Sequence, residues 1–137
     1  MSRISEVMTT NVKVVRPDET VQTAAKMMAE IDVGAIPVCD GKRLQGMVTD
    51  RDITIRATAE GRDGDTPVSE VMSTDVIWCT EQDDTQDVLE RMGEAQVRRI
   101  PVVDQDRNLV GIVALGDLAV EDEENVDETL RDISMPA

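Results

Sequence analysis

Apolar positions along the chain alternate between short β-type runs and helical spacing, and they do so twice in the same order. Val12 to Val15 is a β-branched run ended by Arg16-Pro17-Asp18, which predicts a strand leading into a helix start. Val21, Ala24, Ala25 and Met28 then fall at i, i+3, i+4 and i+7, one face of an amphipathic helix. Ala35 to Cys39 predicts a second strand, Asp40-Gly41-Lys42 a turn, and Leu44 to Thr49 a third strand, paired with the second as a hairpin. A second helix is expected over residues 50–59, with Gly61 placed to end it. Thr85, Val88, Leu89 and Met92 repeat the first helical face in the other half of the chain. Beyond Val120 the pattern gives way to Glu121-Asp122-Glu123-Glu124, a solvated acidic segment, and then to a short closing helix around Thr129 to Ile133.

The order repeats because the sequence repeats. Ile4-Ser5-Glu6-Val7-Met8-Thr9-Thr10-Asn11-Val12 returns 64 residues later as Val68-Ser69-Glu70-Val71-Met72-Ser73-Thr74-Asp75-Val76. The same offset carries Met28 onto Met92, Ile36-Pro37-Val38 onto Ile100-Pro101-Val102, and Asp40 onto Asp104. One inserted residue in the next turn moves the offset to 65, and Leu44, Gly46, Val48 and Asp52 then match Leu109, Gly111, Val113 and Asp117. The organisation read from this is repeat 1 over 4–61, a linker over 62–67, repeat 2 over 68–120, and the acidic segment with its closing helix over 121–137. The fold class is α/β (α+β): two tandem β-α-β-β-α units related by a pseudo-twofold axis, sheets packed together with flanking helices. A unit of about 60 residues buries too little surface to be comfortable alone, whereas two can share one core.

Composition narrows the chemistry. Among the 137 residues there is no His, Tyr or Phe, and Trp78 is the one aromatic side chain. The core must therefore be aliphatic, and Trp78 is expected in it or in a dimer interface. Without His there is no Ser-His or Cys-His dyad and no His-ligated zinc. The formal charge of −15 repels nucleic-acid phosphates and anionic lipids, so neither nucleic acid nor membrane is an expected partner. No apolar run approaches a membrane span, and the first residues lack a signal-peptide pattern, so the expected location is cytoplasmic. Cys39 and Cys79 are expected to be reduced, half-buried thiols. Three Lys against many Arg, with abundant Asp, is a halophilic surface character or that of an ordinary acidic protein from a GC-rich genome. At about 1 M salt the Debye length is near 3 Å, which would screen such self-repulsion.

Val33-Gly34-Ala35-Ile36-Pro37-Val38 with Gly46-Met47-Val48-Thr49-Asp50-Arg51-Asp52 forms one motif set. Val97-Arg98-Arg99-Ile100-Pro101-Val102 with Gly111-Ile112-Val113-Ala114-Leu115-Gly116-Asp117 forms a second. Together they resemble the cystathionine-β-synthase (CBS) domain, and two in tandem resemble the CBS pair called a Bateman module. The resemblance runs from Ile4 to Val120 with no catalytic domain in the chain, so it implies a stand-alone regulatory module and no enzyme.

The resemblance implies adenosine-containing ligands (AMP, ADP or ATP) in clefts between the repeats, with no required cofactor and no metal. It places Asp52 and Asp117 on ribose hydroxyls, Arg98 and Arg99 on phosphate, and Thr10, Val12, Val76 and Ile77 around the base. Ile36, Pro37, Ile100 and Pro101 complete the strand side of the sites. Thr49 and Asp52 stand where a strand enters a helix, with free N–H groups nearby, and a carboxylate there can accept from two vicinal hydroxyls. The same pair also reads as a helix capping box. The second copy keeps Asp117 but has Ala114 for the hydroxyl, which argues against a reciprocal box there and places the intact site with Thr49 and Asp52. Adjacent arginines on an acidic protein form a local positive patch, and each presents a planar fork to phosphate.

Two function classes follow. One is a nucleotide-sensing module, a homodimer forming a disk of four CBS units, that signals to an as yet unknown regulated protein. The other is a nucleotide-independent protein-interaction or structural module with vestigial clefts. An Mg²⁺-dependent phosphohydrolase built on Asp50 and Asp52 reads less well than helix-start charge.

Overall fold

The computed structural model describes residues 2–118; the expected acidic segment and closing helix lie outside them. The chain forms two compact units, and their boundaries are offset from those of the sequence repeats. One unit is Lys13–Val76; the other joins residues 2–12 to residues 77–118. The opening nine residues of each repeat therefore pack with the body of the other repeat.

The unit Lys13–Val76 contains helix α2 (Val21–Ile31), strands β1 (Ala35–Asp40) and β2 (Arg43–Thr49), and a short helix α3 (Asp50–Ile53). Its counterpart contains helix α1 (Ile4–Val7), strand β3 (Cys79–Thr80), helix α4 (Thr85–Ala95), strands β4 (Arg99–Val103) and β5 (Leu109–Ala114), and helix α5 (Leu115–Leu118). β1 and β2 are antiparallel, with a bulge at Val38/Cys39; β4 and β5 repeat both features, with the bulge at Val102/Val103. Gly41 closes the first hairpin at φ 63°, a left-handed conformation that costs glycine nothing.

The expected first strand at Val12 to Val15 is reduced to one parallel bridge, Val15 with Val38; its counterpart is the two-residue strand β3, parallel to β4. Proline is the physical reason. Val15 donates to Pro37 O at 3.1 Å and accepts from Cys39 N–H at 2.9 Å. The next rung back would need an N–H from Pro37, which has none, and Pro101 stops the second copy in the same way. The expected helix over 50–59 also changes character: after α3 it widens to a π-helical turn, Thr54–Thr58. It still ends on Gly61 (φ 76°), with Arg62 N–H on Ala57 O at 2.9 Å and Gly61 N–H on Thr58 O at 3.1 Å, a Schellman closure.

Each opening segment is tied to its host unit by the same bonds. Ile4 N–H donates to Asp83 O (2.9 Å), Ser5 N–H to Glu81 O (3.1 Å), and Thr85 N–H to Ser2 O (3.0 Å). Val68, Ser69 and Val21 make the matching bonds to Glu19, Pro17 and Thr66 at 2.7, 3.0 and 2.8 Å. Packing follows the same logic. Ile4 is enclosed with Val88, Met92, Ile100 and Leu118, while Val68 and Val71 are enclosed with Val21, Met28, Ile36 and Val48. Burying one such side chain is worth about 1.5–3 kcal/mol, enough to hold a short segment in place.

Met28 and Met92 fill these clusters, as expected of helical Met spacing. Ala25, expected on the apolar face of α2, is exposed. Of the two places expected for Trp78, core or dimer interface, it does not take the core: 39% of it is exposed, with the Arg107 guanidinium 6.0 Å from its ring centroid and Arg91 Nη1 donating to its carbonyl at 2.8 Å. An aliphatic core of this size has closed without it.

Candidate functional site

The candidate residues divide between the two units. Thr49, Asp52, Ile36, Pro37 and Val76 belong to Lys13–Val76. Thr10, Val12, Ile77, Arg98, Arg99, Ile100, Pro101 and Asp117 belong to the other unit. In each, the hairpin runs into a short helix, and the aspartate stands on the first turn of that helix.

At Thr49 the capping box is complete. Thr49 Oγ accepts from Asp52 N–H at 3.0 Å, and Asp52 Oδ2 accepts from Thr49 N–H at 3.0 Å. Asp117 keeps half of this arrangement, because its Oδ2 accepts from Ala114 N–H at 2.8 Å. The loss of the hydroxyl at Ala114 therefore does not free the acid from a backbone task. In both copies one carboxylate oxygen serves the strand end, while Oδ1 accepts nothing from the described residues. Each aspartate is half-buried, so that remaining oxygen stands at a surface.

The residues around these corners differ in what they offer. Ile36 and Ile100 are fully enclosed in their clusters, and Pro37 and Pro101 are buried, so none of the four presents an exposed side chain. Val12, Val76 and Ile77 are half-buried, Thr10 is exposed, and Ile77 also packs on the cluster that holds Ile100. Arg99 lies opposite Ala114 in the hairpin, and Arg98 O accepts from Leu115 N–H at 2.8 Å. These contacts set Arg98, Arg99 and Asp117 at one end of one hairpin. Neither arginine forms an ion pair with a described residue, so both charges are uncompensated there.

Two structural determinants were not visible as such in the sequence. Gly46 and Gly111 lie where the opening segments cross the hairpins: Met47 bridges Ser73, and Ile112 bridges Thr9. Their recurrence in both repeats was the available signal. Arg56 reaches from the π-turn to the carbonyls of Val71 and Met72 at 3.3 and 3.2 Å, and nothing in the repeat pattern marks it. The thiols of Cys39 and Cys79 are free and buried, and burial pushes them up to about 11 and about 12 respectively. A groove of about 400 Å³ in the unit Lys13–Val76 is lined by Val21, Ala25, Ile53, Ala57 and Arg62, and none of the candidate ligand residues lines it. Among the described residues no helix is long and apolar enough to cross a membrane, and no three His, Cys, Asp or Glu residues cluster as metal ligands.

Comparison with known proteins agrees with this architecture. The CBS domain family model matches residues 4–57 and 68–124. The CBS domain-containing protein YhcV of Bacillus subtilis is 53% identical over 125 residues, covering 91% of this chain and 89% of YhcV. The crystal structure of Hypoxic Response Protein I with two coordinated zinc ions superposes with TM-score 0.80 at 39% identity, covering 88% of this chain and 98% of that one. The structure of CBSX2 in complex with AMP superposes with TM-score 0.79 at 26% identity, covering 88% and 95%.

Proposed function

We propose that this chain, which belongs to the CBS-domain family and consists of a pair of its repeats, is a regulatory module without chemistry of its own that binds adenosine-containing ligands. The observation that carries this reading is the recurrent aspartate at the end of each hairpin. Its Oδ2 is occupied by a backbone N–H in both units, and its Oδ1, on a half-buried side chain, accepts from none of the described residues. A carboxylate already oriented by the backbone meets a ribose diol at little further entropic cost. Arg98 and Arg99 add the cationic groups that an anionic ligand needs on a chain of net charge −15. CBSX2, a structural relative, binds AMP, which fits this ligand class.

The module would then act on a separate protein, and a second copy of the chain is the expected assembly partner. Ile31 and Ile55, 40% and 48% exposed, together with the groove beside Ala25 and Ile53, supply apolar surface for it. Isothermal titration with AMP, ATP, NAD and S-adenosylmethionine tests the ligand reading. Saturable binding lost in Asp52→Ala or Asp117→Ala supports it, whereas no heat and no thermal shift with any of the four overturns it.

One observation favours a second reading, an interaction module indifferent to nucleotide. Both aspartates already have a backbone partner, so neither needs a ligand to account for its presence. That reading requires partner capture in pull-downs to be unchanged by added nucleotide.

A further inference from the structure

The two copies are unlike at one shared position beside the aspartate. Asp50 N–H donates to Gly34 O at 3.0 Å, and at the matching place Leu115 N–H donates to Arg98 O at 2.8 Å. The same backbone bond thus joins Gly34 to an acid in one unit and Arg98 to an apolar residue in the other. The acid takes up the space. A Cβ on Gly34 would lie 3.2 Å from Asp50 Oδ2 and 3.4 Å from Oδ1, and Asp50 Oδ1 is itself held by Arg51 N–H at 2.8 Å. A side chain at 34 would crowd this carboxylate, which would have to give by a few tenths of an ångström; the second copy has an arginine at that place and no acid opposite it.

The consequence is a reversal of charge. At one hairpin end stand Arg98, Arg99 and Asp117, one net positive charge. At the other stand Asp50, Arg51 and Asp52, one net negative charge, with Arg51 exposed between the two acids. None of these six groups is in an ion pair with a described residue, so neither end is neutralised locally.

We propose that the two ends select adenosine ligands by charge. The end with Arg98, Arg99 and Asp117 takes a phosphorylated adenosine. The end with Gly34, Asp50 and Asp52 takes an adenosine compound without phosphate, neutral or positively charged. This rests on the adenosine reading above and adds to it which ligand goes where. A phosphate within several ångströms of Asp50 is repelled strongly enough at low salt to cost at least about tenfold in affinity.

The test is calorimetric titration of the full chain with AMP and with adenosine at about 0.1 M salt. Wild type should take one AMP per chain, lost in the double variant Arg98→Ser, Arg99→Ser and retained in Asp52→Ala. Adenosine should keep a site that Asp52→Ala removes. Asp50→Asn, an exposed change whose intact fold an unchanged Tm verifies, should tighten or create a second AMP site by at least about tenfold. Two equal AMP sites in wild type, or an AMP site indifferent to the arginines, or no gain in Asp50→Asn, each overturns the charge selection while leaving the adenosine reading in place. Binding of neither compound overturns both.

Discussion

A Cβ on Gly46 would stand well inside 3.0 Å of the Ser73 carbonyl oxygen, closer than real Cβ contacts come. Ser73 belongs to the opening segment of the second repeat, and it exchanges backbone bonds with Met47 at 2.9 Å in each direction. The neighbour is backbone fixed by those two bonds, so it cannot turn aside. Gly46→Ala should therefore cost about 3 kcal/mol, read as a lowered urea midpoint at unchanged m. Gly111→Ala meets Met8 Sδ at 2.8 Å and Thr9 O at 2.9 Å; part of that obstacle is a flexible thioether, and about 1–2 kcal/mol is expected. Equal costs for the two, or none, would show that the crossing segments yield more freely than their bonds imply.

Removing the aspartates should affect stability before any ligand is added. Asp52→Ala and Asp117→Ala each leave a strand-end N–H without its acceptor, and each should lower unfolding free energy by about 1 kcal/mol. Thr49→Ala removes only the hydroxyl half of the box and should cost about as much, yet leave adenosine affinity within a few-fold of wild type. Urea unfolding of the ligand-free variants, paired with calorimetry, separates the two effects. An Asp117→Ala variant as stable as wild type would remove the backbone role assigned to that side chain.

The thiols carry a pH signature. Burial raises Cys39 from 9.0 to about 11 and Cys79 to about 12, so the folded state holds protons that the unfolded chain releases. Their contribution to stability is complete below pH 9 and is lost as pH rises through 11 and 12. Native protein at pH 8 should react slowly with iodoacetamide at both positions, while urea-unfolded protein reacts at the rate of a free thiol. Rapid native labelling at either cysteine would contradict its enclosure.

The two long helices end on left-handed residues that are not glycine. Asp32, at φ 56°, closes α2 with Val33 N–H on Met28 O at 3.1 Å, and Gln96, at φ 57°, closes α4 with Val97 N–H on Met92 O at 3.1 Å. Asp32→Gly relieves the steric cost of a Cβ there and should raise stability by up to about 1 kcal/mol. A thermal melt reads it as a Tm higher by roughly 2–4 °C. A lower Tm would mean that the Asp32 side chain contributes more than its conformation costs.

What could be read from the sequence was whatever is local. The helical spacing of Val21, Ala24 and Met28, the turn at Gly41 and the stop at Gly61 each depend on neighbours a few residues away, and each lies where the pattern puts it. The shortened first strand was also written in the chain, because Pro37 and Pro101 cannot donate the missing rung; β-branched composition at Val12 to Val15 outweighed a single absent N–H. Pairing between distant segments was less accessible. Ile4 and Val68 are followed by the same Ser-Glu-Val-Met, so local pattern cannot say which repeat body each should join. At the candidate sites the identities of Asp52 and Asp117 were legible from the repeat. Their backbone bonds were legible only in part, since Ala114 still donates through a main-chain group that no side-chain comparison reveals.

The exchange of opening segments also orders events on the ribosome. Residues 2–12 leave the exit tunnel well ahead of the segments they join, so their place beside Asp83 and Ile112 is still unmade when they emerge. At about 5–20 residues per second they wait several seconds, during which Lys13–Val76 is finished with every segment of its own core in hand. These residues are thus made long before they can be seated, and the short stretch through Ile4 and Val7 spends that interval as exposed apolar chain.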